Sequence, residues 1–310
     1  MPSKLRTPSP VVIKPVKPDS MAADIYRLDP DGDVALLLTR FVTYTDDEDE
    51  IPSIKLASAV HTRQEDHFEE GSVEIPLPDD DPDALLILLN IIHGHVRKVP
   101  LIVDLVTLTQ LAILVDKYDI HEAVELFSNF WFENLKSTIP EKYTDDIPAW
   151  ICISWVFNRS IEFKKTTRLA LRQGRHSIPS ADLPIPSSVV QTINTRRQEA
   201  LGELLKTLYG HLDDYMENEH CSFECDALML GSLTKRLRAL KIFPHRPEAP
   251  YAGLCFEEFD YRFRQGMYFP GAQRTSTYFS QHSKCAIRSL DTTLRKCEEK
   301  LEGLEMNDYK

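Results

Sequence analysis

The sequence predicts an α+β fold that runs on into an all-α region, and three observations predict it. Two short stretches carry strand patterns: residues 34–38 are continuously apolar, and Val73, Ile75 and Leu77 alternate with Glu74 and Pro76. From Pro82 onward apolar residues recur at helical spacing, with capping residues at the breaks. Beyond residue 77 the expected elements are all helices, joined by linkers and one extended segment.

Size and composition narrow the class. At ~150 residues per domain, 310 residues suggest about two domains. A hydrophobic fraction of 42% is enough to build a core, and 27% charged residues are ordinary for a globular protein. A formal net charge of -12 argues against sequence-independent nucleic-acid binding, which needs Lys and Arg to displace counterions. The longest apolar run, residues 84–92, is far short of the ~20 residues of a membrane helix. The basic, Pro-rich first twenty residues lack the apolar segment of a secretory signal. The six unevenly spaced Cys do not form a secreted disulfide pattern. The expectation is an intracellular protein of cytoplasm and/or nucleus, with no nucleic-acid and no membrane partner.

Taken in order, residues 1–22 are Pro, Lys and Ser without periodicity, a solvated tail in which Thr7-Pro8 and Ser9-Pro10 have the form of proline-directed phosphorylation sites. Asp29-Pro30-Asp31-Gly32 is a turn before the strand at 34–38. The acidic run 46–50 lacks the Gly and spaced oxygen ligands of a calcium loop and reads as solvated. Residues 52–71 are weakly patterned. After the strand at 73–77, Asp81 can cap a helix over 83–93, Pro82 suits its first turn and Gly94 can close it. That helix is apolar nearly all round and is expected to be buried. Asp104 caps a second helix with Leu105, Leu108, Leu111, Ala112 and Val115 inward. Asp119 with Glu122 makes a capping-box-like start for a third, with Ala123, Val124, Phe127, Phe130 and Trp131 on one side.

Further helices follow at 149–157, buried on composition, and at 163–173, with Gly174 as a stop. Residues 180–187 are a linker holding Pro184 and Pro186. A long helix spans 188–216 with Val190, Ile193, Leu201, Leu204, Leu205, Leu208 and Leu212 inward. Another covers 225–240, an extended segment covers 243–250 and a short aromatic helix covers 254–263. In the last helix Ile287, Leu290, Leu294, Cys297, Leu301 and Leu304 follow a heptad spacing of under three repeats, too short for a free-standing coiled coil. Packing inside a C-terminal bundle is expected in preference to a dimer seam.

No enzyme signature emerges. His121-Glu122 would need a second His where Glu125 stands, and there is no glycine-rich phosphate loop or nucleophile elbow. One constellation has ligand spacing: Cys221-x3-Cys225 and, later, His282-x2-Cys285, four donors of the kind structural zinc prefers, with His220 as an alternative ligand. The competing reading makes Cys225 and Cys285 buried thiols in a helical bundle. A helical enzyme with a Cys/His site in the C-terminal half is the alternative from another functional class.

Asp31-Gly32-Asp33-Val34, Phe68-Glu69-Glu70-Gly71, VEIPLPDDDPDALLILLNIIHG from Val73 and LAILVDKYDIHEAVELF from Leu111 resemble a BTB/POZ domain, nearest to those of filamentous fungi. The resemblance implies a BTB/POZ-like domain of short strands and helical hairpins over 23–137, after the 1–22 tail. It is followed by a helical extension over 138–180 and an all-α region over 181–310. It departs from the family at 46–71, where His61, Arg63 and Gln64 stand at apolar positions and little remains of a second strand, so the domain is partly degenerate. The implied function is non-enzymatic protein–protein interaction, with a second copy as one partner. Some members recruit a cullin-type ubiquitin ligase scaffold through an apolar-x-Glu motif. Phe68-Glu69-Glu70 has that form, which makes Phe68 and Glu70 candidate partner-binding residues.

Overall fold

Four short strands begin the fold in a computed structural model that describes residues 24–25, 28, 34–38, 58–60, 73–179, 182–266 and 288–310. They are β1 (Asp24–Ile25), β2 (Val34–Leu38), β3 (Ser58–Val60) and β4 (Val73–Leu77), in the sheet order β1-β3-β2-β4. β3 runs antiparallel to β2 and parallel to β1. β4 runs parallel to β2, in register from Val34 opposite Val73 to Leu38 opposite Leu77. Among the described strands β4 is an edge, a place where Pro76, which has no N–H, is tolerated. The second strand, of which the sequence keeps little, is formed by only three residues at β3. The tail 1–22, the acidic run 46–50 and the Phe68-Glu69-Glu70 motif lie outside the described residues.

The remainder is helical: α1 (Pro82–Ile92), α2 (Leu105–Tyr118), α3 (His121–Leu135), α4 (Ile147–Val156), α5 (Ser160–Gln173), α6 (Ser187–Glu217), α7 (Phe223–Ala239), α8 (Phe256–Gly266) and α9 (Arg288–Lys300). The class is therefore α+β and mostly helical. The chain divides into two compact units, Met1–Pro100 and Leu101–Lys310, a division that falls inside the 23–137 segment.

In the first unit, Asp81 accepts a 2.8 Å bond from the Ala84 N–H and caps α1, with Pro82 in its first turn. Gly94, at φ +70, closes α1 with a Schellman pair of bonds: Gly94 N–H donates to the Ile91 carbonyl and His95 N–H to that of Asn90. Expected burial all round does not hold. Ala84, Leu85 and Leu88 are buried, but Leu86, Ile87, Leu89 and Ile91 are half-buried and Ile92 is exposed.

In the second unit, Asp104 caps α2, its carboxylate accepting a 2.8 Å bond from the Thr107 N–H. That bond holds the Asp104 carboxyl below its ordinary pKa. A depressed folded-state pKa gives stability that is present above the unfolded value and lost as pH falls through the folded one. Asp104→Ala is expected to cost about 1 kcal/mol at pH 7. The gap between wild type and variant in urea melts should close below about pH 4, and a gap unchanged at acid pH would contradict this role.

Asp119 corrects the sequence reading. It does not cap α3, whose Ncap position is Ile120 with no side-chain bond. Asp119 instead ends α2 in the left-handed region at φ 51, with its own N–H on the Asp116 carbonyl and the Ile120 N–H on that of Val115. The link between α2 and α3 is so short that one residue cannot serve both ends, and Asp is among the few residues that tolerate this conformation. Asn158 after α4 and Lys241 after α7 close their helices the same way.

α4 is apolar all round and is the buried centre of this unit, packing on α2 and α5. Trp150, Ile151, Cys152 and Ile153 have no exposed surface, and Trp150 meets Phe132 of α3 edge-on at 6.3 Å. Gly174 does end α5, but through close approach: its φ is −59, and a Cβ there would lie 2.4 Å from the Ala170 carbonyl oxygen. In α6 the inward residue near the start is Val189, with Val190 half-buried. The last helix packs within the bundle: α9 lies on α6 with Leu290, Leu294 and Cys297 buried and Cys297 Sγ donating to the Ala200 carbonyl. Leu301 and Leu304 are buried just past its end, where Leu304 N–H donates to Thr167 of α5. Ile287 lies outside the described residues. Arg172 of α5 is nearly buried and bridges Glu257 of α8 at 2.8 Å and Glu298 of α9 at 3.0 Å. Among the described residues no helix is long and apolar enough to cross a membrane.

Candidate functional site

The helix α3 buries Val124, Phe127, Ser128, Trp131 and Phe132. At about 100° per residue these form one stripe, and Leu126 and Phe130 fall more than about 100° from its centre. The expectation that Phe130 and Ala123 face inward is therefore corrected: Ala123 is exposed and Phe130 is 51% exposed. The cause is Phe132, whose edge contact with Trp150 turns the stripe toward α4.

An apolar face results. Leu126, Phe130 and Asn134 follow each other at one-turn spacing on α3. At the foot of that row, Asn134 Nδ2 donates to the Leu101 carbonyl at 3.2 Å, which brings the chain before α2 alongside. Leu101, Ile102 and Val106, just before and at the start of α2, are exposed, as are Leu126 and Phe130 on α3. Soluble proteins rarely leave contiguous apolar groups open to water unless a partner covers them. Periodicity alone missed this face because the sequence shows which residues are apolar but not which way the helix is turned.

The cysteine constellation is seen in half. Cys221 is exposed in the loop after α6, and Cys225 is buried in the first turn of α7, whose N-terminus Ser222 caps by accepting from the Cys225 N–H at 3.3 Å. His282 and Cys285 lie outside the described residues. His220, the alternative ligand, places Nε2 3.0 Å from Asp214, sets its ring edge-on to Tyr215 at 4.9 Å and donates its backbone N–H to Asp226. Among the described residues no group of three or more His, Cys, Asp or Glu is placed to hold a metal ion.

Two thiols elsewhere are held protonated at neutral pH. Burial pushes Cys152 up to about 12 and Cys297 up to about 11. A nucleophilic cysteine needs the opposite, a pKa lowered toward neutrality. No family model matches this chain, and no curated protein or solved structure matches it either.

Proposed function

We propose that the chain is a non-catalytic protein–protein interaction protein whose α+β part is a partly degenerate BTB/POZ-like domain. The observation that carries this reading is the exposure of five large apolar side chains, Leu101, Ile102 and Val106 before and at the start of α2 and Leu126 and Phe130 on α3. A mixed sheet whose last strand leads through an acidic turn into a capped apolar helix also supports it. The first partner to test is a second copy of this chain. Light scattering should give a species of twice 35.6 kDa, and Phe130→Asp should return it to the monomer while leaving the helical spectrum intact. A wild-type chain that stays monomeric and purifies from cells without a stable protein partner refutes the reading. Co-purified cullin, lost in a Phe68→Ala and Glu70→Ala double variant, would mark the ligase-adaptor form of it.

The same reading places structural zinc on Cys221 and Cys225 together with His282 and Cys285, clamping the loop after α6 to the chain before α9. Purified protein is then expected to carry about one equivalent of zinc, absent after replacing Cys221 and Cys225 by Ser. Metal analysis that finds none in the wild type removes the zinc.

A further inference from the structure

In the Leu101–Lys310 unit, a pocket of about 1020 Å³ opens between three walls: the loop before α4, the segment after α5 and the start of α8. Its size is at the upper end of the range for small-molecule sites. Tyr143 and Pro148 belong to the first wall, Pro179 to the second and Tyr261 to the third, so each wall presents a ring. Two of the walls are fastened from behind. Arg197 of α6 is 2% exposed and lies outside the lining. Its guanidinium donates to the carbonyls of Gly174 and Arg175 at the root of the second wall, and to those of Tyr251 and Leu254 at the root of the third.

The charged groups of the lining favour neither sign. Glu257 is paired with Arg172 at 2.8 Å, and Glu258 with Arg175 at 3.0 Å and Arg262 at 3.1 Å. Among the described residues Lys142, Asp145 and His176 are in no ion pair. All three are exposed, so a contact with any of them is screened by water and worth little. Lys142 and Asp145, three positions apart, also oppose each other in sign. A charged ligand would give up its hydration here without gaining an uncompensated partner.

One polar group of fixed direction remains. The Tyr143 N–H donates to Gln173 Oε1 at 2.7 Å. A backbone N–H needs the carbonyl end of a side-chain amide, so this bond sets which way the Gln173 amide lies. Its NH₂ group has no partner among the described residues, and Gln173 lines the pocket. The lining therefore offers two neutral N–H donors beside the Tyr143 ring. Burial, with Asp145 nearby, raises the Tyr143 hydroxyl above its ordinary pKa, so that ring stays uncharged at neutral pH.

We propose that this pocket binds a neutral, flat ring that carries a carbonyl acceptor, with the ring among the tyrosines and prolines and the carbonyl on the Gln173 N–H groups. The site is independent of the interaction face on α2 and α3.

Calorimetric titration of the full chain tests this with benzamide, benzoate and benzylammonium, which share one ring and differ in charge. Benzamide should bind, and each ion should bind at least about tenfold more weakly. Gln173→Glu keeps an oxygen for the Tyr143 N–H but removes both side-chain donors. It should keep the wild-type thermal melt and weaken benzamide by about tenfold. Tyr261 is 61% exposed, so Tyr261→Ala should fold normally and weaken benzamide by about threefold or more through lost ring contact. The proposal is overturned if benzamide does not bind at about 10 mM, a range where even weak contacts register. It is equally overturned if either ion matches benzamide, or if Gln173→Glu or Tyr261→Ala leaves its affinity unchanged.

Discussion

Arg197→Met is expected to destabilise the Leu101–Lys310 unit by about 3–5 kcal/mol, measured by urea unfolding. The wild-type guanidinium is the shared donor for the carbonyls of Gly174, Arg175, Pro250, Tyr251 and Leu254. Methionine fills much of the volume but takes the guanidinium donor from the Gly174, Pro250 and Leu254 carbonyls, while those of Arg175 and Tyr251 keep the Gly253 and Leu254 N–H groups, and each unsatisfied acceptor costs more than the bond itself contributes. Burial pulls the guanidinium pKa below its ordinary value, yet arginine remains charged at neutral pH. The loss should therefore show little pH dependence between about pH 5 and 8. Arg197→Lys is the informative second variant. A single ammonium cannot fork toward both segments, 174–175 and 250–254, so it should recover less than half of the lost stability. A methionine variant within about 1 kcal/mol of wild type would mean that the carbonyls find water instead.

Neighbouring residues on α3 give the second large effect and its control. Trp131 has no exposed surface and lies 5.9 Å from Phe127. Trp131→Ala leaves a large void and should cost about 3–5 kcal/mol. Phe130, one residue away and half exposed, should change stability by no more than about 0.5 kcal/mol when replaced by Ala. It should nonetheless weaken partner association, since a central aromatic is the usual anchor of an interface. Denaturant melts and light scattering on the two variants separate the roles. If Phe130→Ala unfolds the protein as Trp131→Ala does, the residue belongs to the core and the face proposed for partner binding is wrong.

These two cases show where sequence reading reaches. The caps at Asp81 and Asp104 and the stop at Gly94 were legible because each acts on groups within a few positions along the chain. The buried character of α4 was legible because a helix with no polar side has no face to give to water. The heptad of α9 was legible as periodicity, and its short length pointed to packing within the chain, where α6 receives it. Asp119 misled because the same residue type serves both an N-cap and a left-handed stop, and only the length of the link between α2 and α3 separates them.

Two residues with large expected effects, Arg197 and Phe130, were not legible. Arg197 sits in α6 between two apolar stretches, where a charged residue is ordinarily solvated. Its acceptors lie 22 to 57 positions away, in segments with no periodic signal. Phe130 is apolar in an apolar helix, and its direction depends on how Phe132 meets Trp150 from α4. The sequence by itself showed the strands at 34–38 and 73–77, most of the helices, and an α+β class with a helical remainder, but not the two- and three-residue strands β1 and β3, too short to carry a pattern. Tertiary structure alone decided which apolar side chains stay exposed and which carbonyls a buried cation collects. Those outcomes depend on contacts between distant segments, and local propensity carries no information about such contacts.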